Sequence, residues 1–125
     1  MTTASTNTNA AQRVEQLKEY INAGKILDAM TEFYHDDVVM QENSEAPTRG
    51  LQANIQREKE FLSIVAQWNW TKWHATAVSE VVVGETVAFI EYSFEFVNTQ
   101  GETVVYEQAT VQRWRDGKIA SERFY

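Results

Sequence analysis

A carboxylate on a strand that should line a core is the residue of this chain best placed to move a proton. In the run Phe33-Tyr34-His35-Asp36-Asp37-Val38-Val39-Met40-Gln41-Glu42-Asn43, Glu42 falls two residues past Met40 and so on the same face of an extended segment. An acid on an inner strand face is short of water, which favours its neutral form and lifts its pKa toward the range of a proton-transfer base. The alternative is an exposed acid, or one satisfied by a neighbour such as Arg49. His74, whose ring type titrates near neutrality, is a second general-base candidate, against the commoner fate of a lone His as a packed or exposed side chain. Other chemistries are excluded by composition. There is no Cys, which removes disulfides, thiolate catalysis and Cys-ligated metal. His35 and His74 lack i,i+4 spacing and Asp36-Asp37 lacks the alternating ligands of a calcium loop, so no metal is expected. Neither a glycine-rich phosphate loop nor a nucleophile elbow occurs, leaving nucleotide and covalent acyl chemistry without support.

Further candidates come from strand alternation. Tyr106, Gln108, Thr110, Gln112 and Trp114 share one face of an extended segment, and Val105, Glu107, Ala109, Val111 and Arg113 share the other. Three hydrogen-bonding groups between two aromatic rings read equally as a ligand wall or as the solvated side of a sheet. Ala88, Ile90, Tyr92 and Phe94 form an apolar face, in which Tyr92 is either a core filler or a donor to a ligand carbonyl. On the last segment Ala120, Glu122 and Phe124 alternate with Ile119, Ser121, Arg123 and Tyr125.

The elements that must position these side chains are legible from period and punctuation. Val14, Leu17, Tyr20 and Ile21 predict a helix over 10–23 with Asn9 as N-cap and Gly24 as its stop. Ile26, Met30, Phe33 and Tyr34 predict a second helix, ended by Asp36-Asp37, before the chain turns extended at Val38. A polar loop over 43–50 leads to a third helix from Leu51 to about Trp68, with Leu51, Ile55, Leu62 and Val65 on one stripe. The period then changes to two. Strands are expected over 78–83, 87–97, 104–114 and 119–125, separated by Gly84-Glu85, the turn at 98–101 and Asp116-Gly117, with 70–76 opening the first of them. The order implies an α+β fold with an antiparallel sheet and the helices on one face. The Trp68, Trp70 and Trp73 cluster reads as core or subunit contact.

At 125 residues, 43% of them hydrophobic, the chain suits one domain over 10–125 with one pocket, after a polar tail over 1–9 whose composition is compatible with disorder. A formal charge of -7 repels phosphate backbones and anionic lipid, arguing against nucleic-acid and membrane partners. No stretch approaches the roughly 18 apolar residues of a membrane span, and a cytoplasmic location is expected.

Asn22-Ala23-Gly24 closing a helix, Tyr34-His35-Asp36-Asp37-Val38 entering a strand, Arg49-Gly50-Leu51 opening the third helix and Arg115-Asp116-Gly117-Lys118-Ile119 in the last hairpin occur in that order. Together they resemble the SnoaL-like and ketosteroid isomerase-like branch of the nuclear transport factor 2-like superfamily, over essentially all of the chain after the tail. The resemblance implies a cystatin-like cone, a curved antiparallel sheet wrapped around three N-terminal helices with the ligand pocket at its open end. It places Glu42 at the isomerases' carboxylate base, but Leu17 stands where they carry an oxyanion-binding Tyr and Thr110 where they carry a second acid. Steroid isomerisation in its familiar form would lack its strong donors here.

The same resemblance turns Glu122 inward, near the acid/base Asp of SnoaL-like cyclases. Two neighbouring buried carboxylates do not both ionise easily, so one could stay protonated while the other serves as base. The implied pocket has Tyr92, Gln108, Thr110 and Gln112 as polar contacts, and Phe33, Met40, Ile90, Tyr106, Trp114 and Phe124 as lining. The implied activity is cofactor-independent isomerisation or cyclisation of a small, largely apolar cyclic carbonyl compound. A non-catalytic binding or dimerisation module, and epoxide hydrolase-like or dehydratase-like water chemistry, are the alternatives on the same fold. A homodimer is expected through the sheet face bearing Phe89, Val105, Ala109 and Val111.

Overall fold

Gly24, at φ 76°, closes the first helix: the Lys25 N–H donates to the Tyr20 carbonyl at 2.8 Å, and the second helix starts at once. The computed structural model describes residues 3–125 and orders them as α1 (Thr3–Asn22), α2 (Ile26–Phe33), β1 (Tyr34–Glu42), β2 (Thr48–Arg49), α3 (Leu51–Ser63), β3 (Val65–Val82), β4 (Glu85–Asn98), β5 (Thr103–Arg115) and β6 (Lys118–Phe124). The apolar stripes read at helical spacing are the surfaces that pack. Val14, Leu17, Ala29, Met30 and Phe33 are buried against Ala88, Ile90, Trp114 and Ile119 of the sheet.

The strands form one curved, open sheet in the order β2-β1-β6-β5-β4-β3. All neighbours are antiparallel except β1 and β6, which run parallel, so the sheet is mixed where the sequence implied a wholly antiparallel one. Parallel neighbours need a long connection, and here it is supplied by everything between β1 and the C-terminal β6. Among the described residues no helix is long and apolar enough to cross a membrane.

Element ends differ from the sequence reading where pairing outweighs local period. Helix α1 runs through Asn9, the expected cap. Helix α2 stops at Phe33, because Tyr34 is extended (φ -112°, ψ 141°) and pairs with Ile119, leaving Asp36-Asp37 inside a strand. Helix α3 ends at Ser63, because Val65 and Trp68 pair with Asn98 and Phe96 of β4. The polar loop contains β2, whose Thr48 and Arg49 pair with Met40 and Val39.

Irregularities also reset parity. In β6 a bulge lets Trp114 pair with Ile119 while Arg113 pairs with Ser121, which turns Ile119 into the core beside Glu122 instead of outward with Ser121. Strand β3 has four such shifts along its length, and alternation alone could not orient its residues.

Candidate functional site

Register fixes what faces the helices. Met40 pairs with Glu122 and Glu122 with Gln112, while Glu42 pairs with Phe124 and Phe124 with Thr110. Two adjacent rungs thus bring residues far apart in sequence onto one inner wall.

Glu122 lies at its centre, 4% exposed. Three neutral groups serve it: the Tyr34 hydroxyl donates to Oε1 at 2.5 Å, and the Thr110 hydroxyl and Gln112 Nε2 donate to Oε2 at 2.8 and 2.9 Å. Burial pushes the Glu122 carboxyl above its usual range, and the three donors only partly oppose this. The Tyr34 phenol is likewise raised, by burial first and then by the charge of Glu122. Beside them the Tyr92 hydroxyl donates to Gln108 Oε1 at 2.8 Å, and burial raises Tyr92 as well, so it stays a protonated donor.

The structure adds Glu58, which the sequence reading passed over. It sits on α3 within the stripe Leu51, Ile55, Glu58, Leu62, one turn before Phe61, and that stripe turns toward the sheet. Burial, then the charges of Glu122 and Glu42, lift its pKa to about 7. The missed signal was a lone carboxylate at i+3 and i+4 spacing inside an apolar stripe. Among the described residues the ion pairs are Arg13–Glu32, Lys18–Glu15 and Arg113–Glu85, none of which reaches Glu42, Glu58 or Glu122. The inner wall is acidic and carries no paired cation.

Glu42 keeps its inner-face parity but is exposed, correcting the expectation of an acid away from water. It is the last residue of β1 and pairs with the last of β6, where the sheet runs out into solvent. There it borders an open recess of about 260 Å³ lined by Asn43, Tyr106, Gln108, Phe124 and Tyr125 among others. His74 is the second correction. Its Nε2 lies 2.7 Å from Ser93 Oγ, and Ser93 alternates with the inward Tyr92, so the imidazole is on the opposite side of the sheet from Glu122.

The expected lining residues divide. Phe33, Ile90 and Trp114 are 1%, 3% and 2% exposed, and the Phe33 ring sits edge-on to Tyr20 and Trp114 at 5.2 and 6.5 Å, so these three fill the core instead of walling a hollow. Thr110 and Gln112 spend their hydrogen bonds on Glu122, and Met40 packs against the core. Tyr106 and Phe124 remain at the recess, where Tyr106 also meets Phe94, Phe96 and Phe61 at 5.1, 6.0 and 6.4 Å. No three His, Asp or Glu side chains among the described residues converge as metal ligands.

A mixed sheet curved over three helices, with carboxylates lined along its inner wall, defines an α+β cone protein. The SnoaL-like domain family matches residues 14–122, and the chain belongs to that family. No curated protein matches it. Three solved structures illustrate the shared fold. An LEH-like epoxide hydrolase of M. tuberculosis superposes with a TM-score of 0.72 at 18% identity, over 95% of this chain and 83% of that one. A ketosteroid isomerase-like protein of Erwinia carotovora atroseptica gives 0.79 at 10% identity, over 94% and 93%. A SnoaL-like protein of Mesorhizobium loti gives 0.66 at 21% identity, over 92% and 97%.

Proposed function

We propose that this protein binds a small, largely apolar cyclic carbonyl compound and moves a proton on it by carboxylate acid–base chemistry, without a cofactor. The supporting observation is the pair of carboxylates, Glu58 on α3 and Glu122 on the inner wall, near enough for the charge of Glu122 to act on Glu58, with neither in an ion pair among the described residues. A group with a pKa of about 7 is half protonated at neutrality, which suits it to take a proton in one step and return it in the next. In this reading Glu58 removes a proton from the carbon beside the carbonyl. The Tyr92 hydroxyl, kept protonated, donates to the oxygen on which charge develops. Glu58–H then returns the proton to a different carbon, and the sum is an isomerisation with no atom gained or lost. Glu122 is held by three donors and does not swing, while burial first, then the charges of Glu122 and Glu42, keep Glu58 from ionising early.

The test compares wild type with Glu58→Gln on a panel of cyclic ketones and lactones, following binding and deuterium uptake from solvent. A loss of exchange of about 10²-fold or more with binding retained supports the reading. Binding with exchange unchanged by the substitution leaves a non-catalytic binder. For the outer sheet face, where Phe89 is 47% and Val105 52% exposed, we propose pairing with a second copy of the chain.

A further inference from the structure

Of the three donors around Glu122, two are hydroxyls that can turn round. The Tyr34 hydroxyl can accept as well as donate, and the single Thr110 proton has a second acceptor, the Arg123 carbonyl at 3.3 Å. Only the Gln112 amide has a fixed polarity toward Glu122, and an amide in isolation could present either its NH2 or its oxygen. What decides is Trp114. Its indole Nε1–H, a donor and nothing else, lies 3.0 Å from the far end of the Gln112 amide, so that end must be the oxygen and the NH2 must point at Glu122. Trp114 is 2% exposed and edge-on to Phe33, so the indole cannot swing away.

We propose that Trp114 is a positioning residue for Glu122: by holding the Gln112 amide in one orientation, it guarantees a donor at Oε2 and keeps this buried carboxylate able to carry charge. With the lock in place the hydrogen bonds around Glu122 adapt to either of its protonation states by hydroxyl rotation alone, its proton being exchanged with solvent. When Glu122 carries a proton on Oε2, that O–H donates a hydrogen bond to Thr110 Oγ1 while the Thr110 hydrogen turns to the Arg123 carbonyl. Without the lock, the amide can reverse and present its oxygen, which pairs with Oε2 only when Glu122 is protonated. Removing the indole N–H should therefore trap the neutral acid, although Trp114 never touches Glu122.

The titratable groups that bear on Glu122 are Tyr34 from β1, Tyr92 from β4 and Glu58 from α3, with Glu42 acting on the last two. All remain when Trp114 or Gln112 is changed. Carbon-13 spectra of the Glu side-chain carboxyls, with the Glu122→Gln spectrum identifying its resonance, follow the titration directly. In Trp114→Phe, which keeps a ring against Phe33, the Glu122 midpoint should rise by about one to two pH units, a ten- to hundredfold gain in proton affinity. Gln112→Leu removes the donor outright and should raise it in the same sense, covering the case in which Trp114→Phe fails to fold. A Glu122 midpoint that stays at its wild-type pH in either folded variant overturns the proposal. Because the titration is read without substrate, failure of the exchange experiment on Glu58 leaves this outcome untouched.

Discussion

Glu58→Gln should make the protein more resistant to unfolding above neutral pH and change it little in acid. In the folded chain Glu58 titrates at about 7, against 4.5 for an ordinary Glu. Between those values the native state holds a proton that the unfolded chain has released, so wild-type stability falls as pH rises through this window. A gap of about 2.5 pH units at roughly 1.36 kcal/mol each gives an upper bound near 3 kcal/mol. The side chain is only half-buried, and screening by solvent reduces the expected effect to about 1–2 kcal/mol. Glutamine carries no charge at any of these values and does not bear this cost. Urea unfolding of wild type and variant at pH 4, 6 and 8 gives the difference directly, provided the urea dependence is the same in both. Glu122 contributes in the same direction in both proteins and largely cancels, apart from its repulsion of Glu58. A stability difference that stays flat from pH 4 to 8, or that favours wild type as pH rises, would show that Glu58 is not the desolvated acid described here.

Other substitutions probe separate parts of the molecule. Tyr34→Phe deletes the 2.5 Å donor to the buried Glu122 and should cost roughly 1–3 kcal/mol, as urea midpoints will report; an unchanged midpoint would show that this hydrogen bond contributes nothing to stability. Phe33→Ala opens a hole between Tyr20 and Trp114 and should cost about 3–5 kcal/mol; a loss below about 1 kcal/mol would mean that Phe33 lines a ligand hollow after all. Phe89→Asp, on the outer face, should give a monomer in sedimentation experiments if a second copy docks there, and an unaltered mass distribution rules that surface out. His74→Ala should leave deuterium exchange on a cyclic ketone within about twofold of wild type, since its ring bonds Ser93 on the far side of the sheet.

The sequence by itself determined whatever depends on local period. The apolar stripes of α1 and α2 and the two faces of β4 and β5 follow from spacings of 3.6 and 2, so Thr110 and Gln112 could be put together on one face of β5 and Tyr92 on the apolar face of β4 before any register was known, while only the family resemblance pointed to that face of β5 as the inner one. Glu58 was visible in the same way, as a carboxylate in the stripe of α3, yet nothing local says that this stripe ends up opposite Glu122. Tertiary structure decided the matters that rest on pairing across long separations. The parallel match of β1 with β6 brings Tyr34 to Glu122, residues 88 positions apart, and ends both strands at the rim so that Glu42 meets solvent. The shifts in β3 and the bulge in β6 settled where His74 and Ile119 point. A residue's period says which neighbours share its face, but whether that face meets water or another carboxylate depends on what the rest of the chain packs against it.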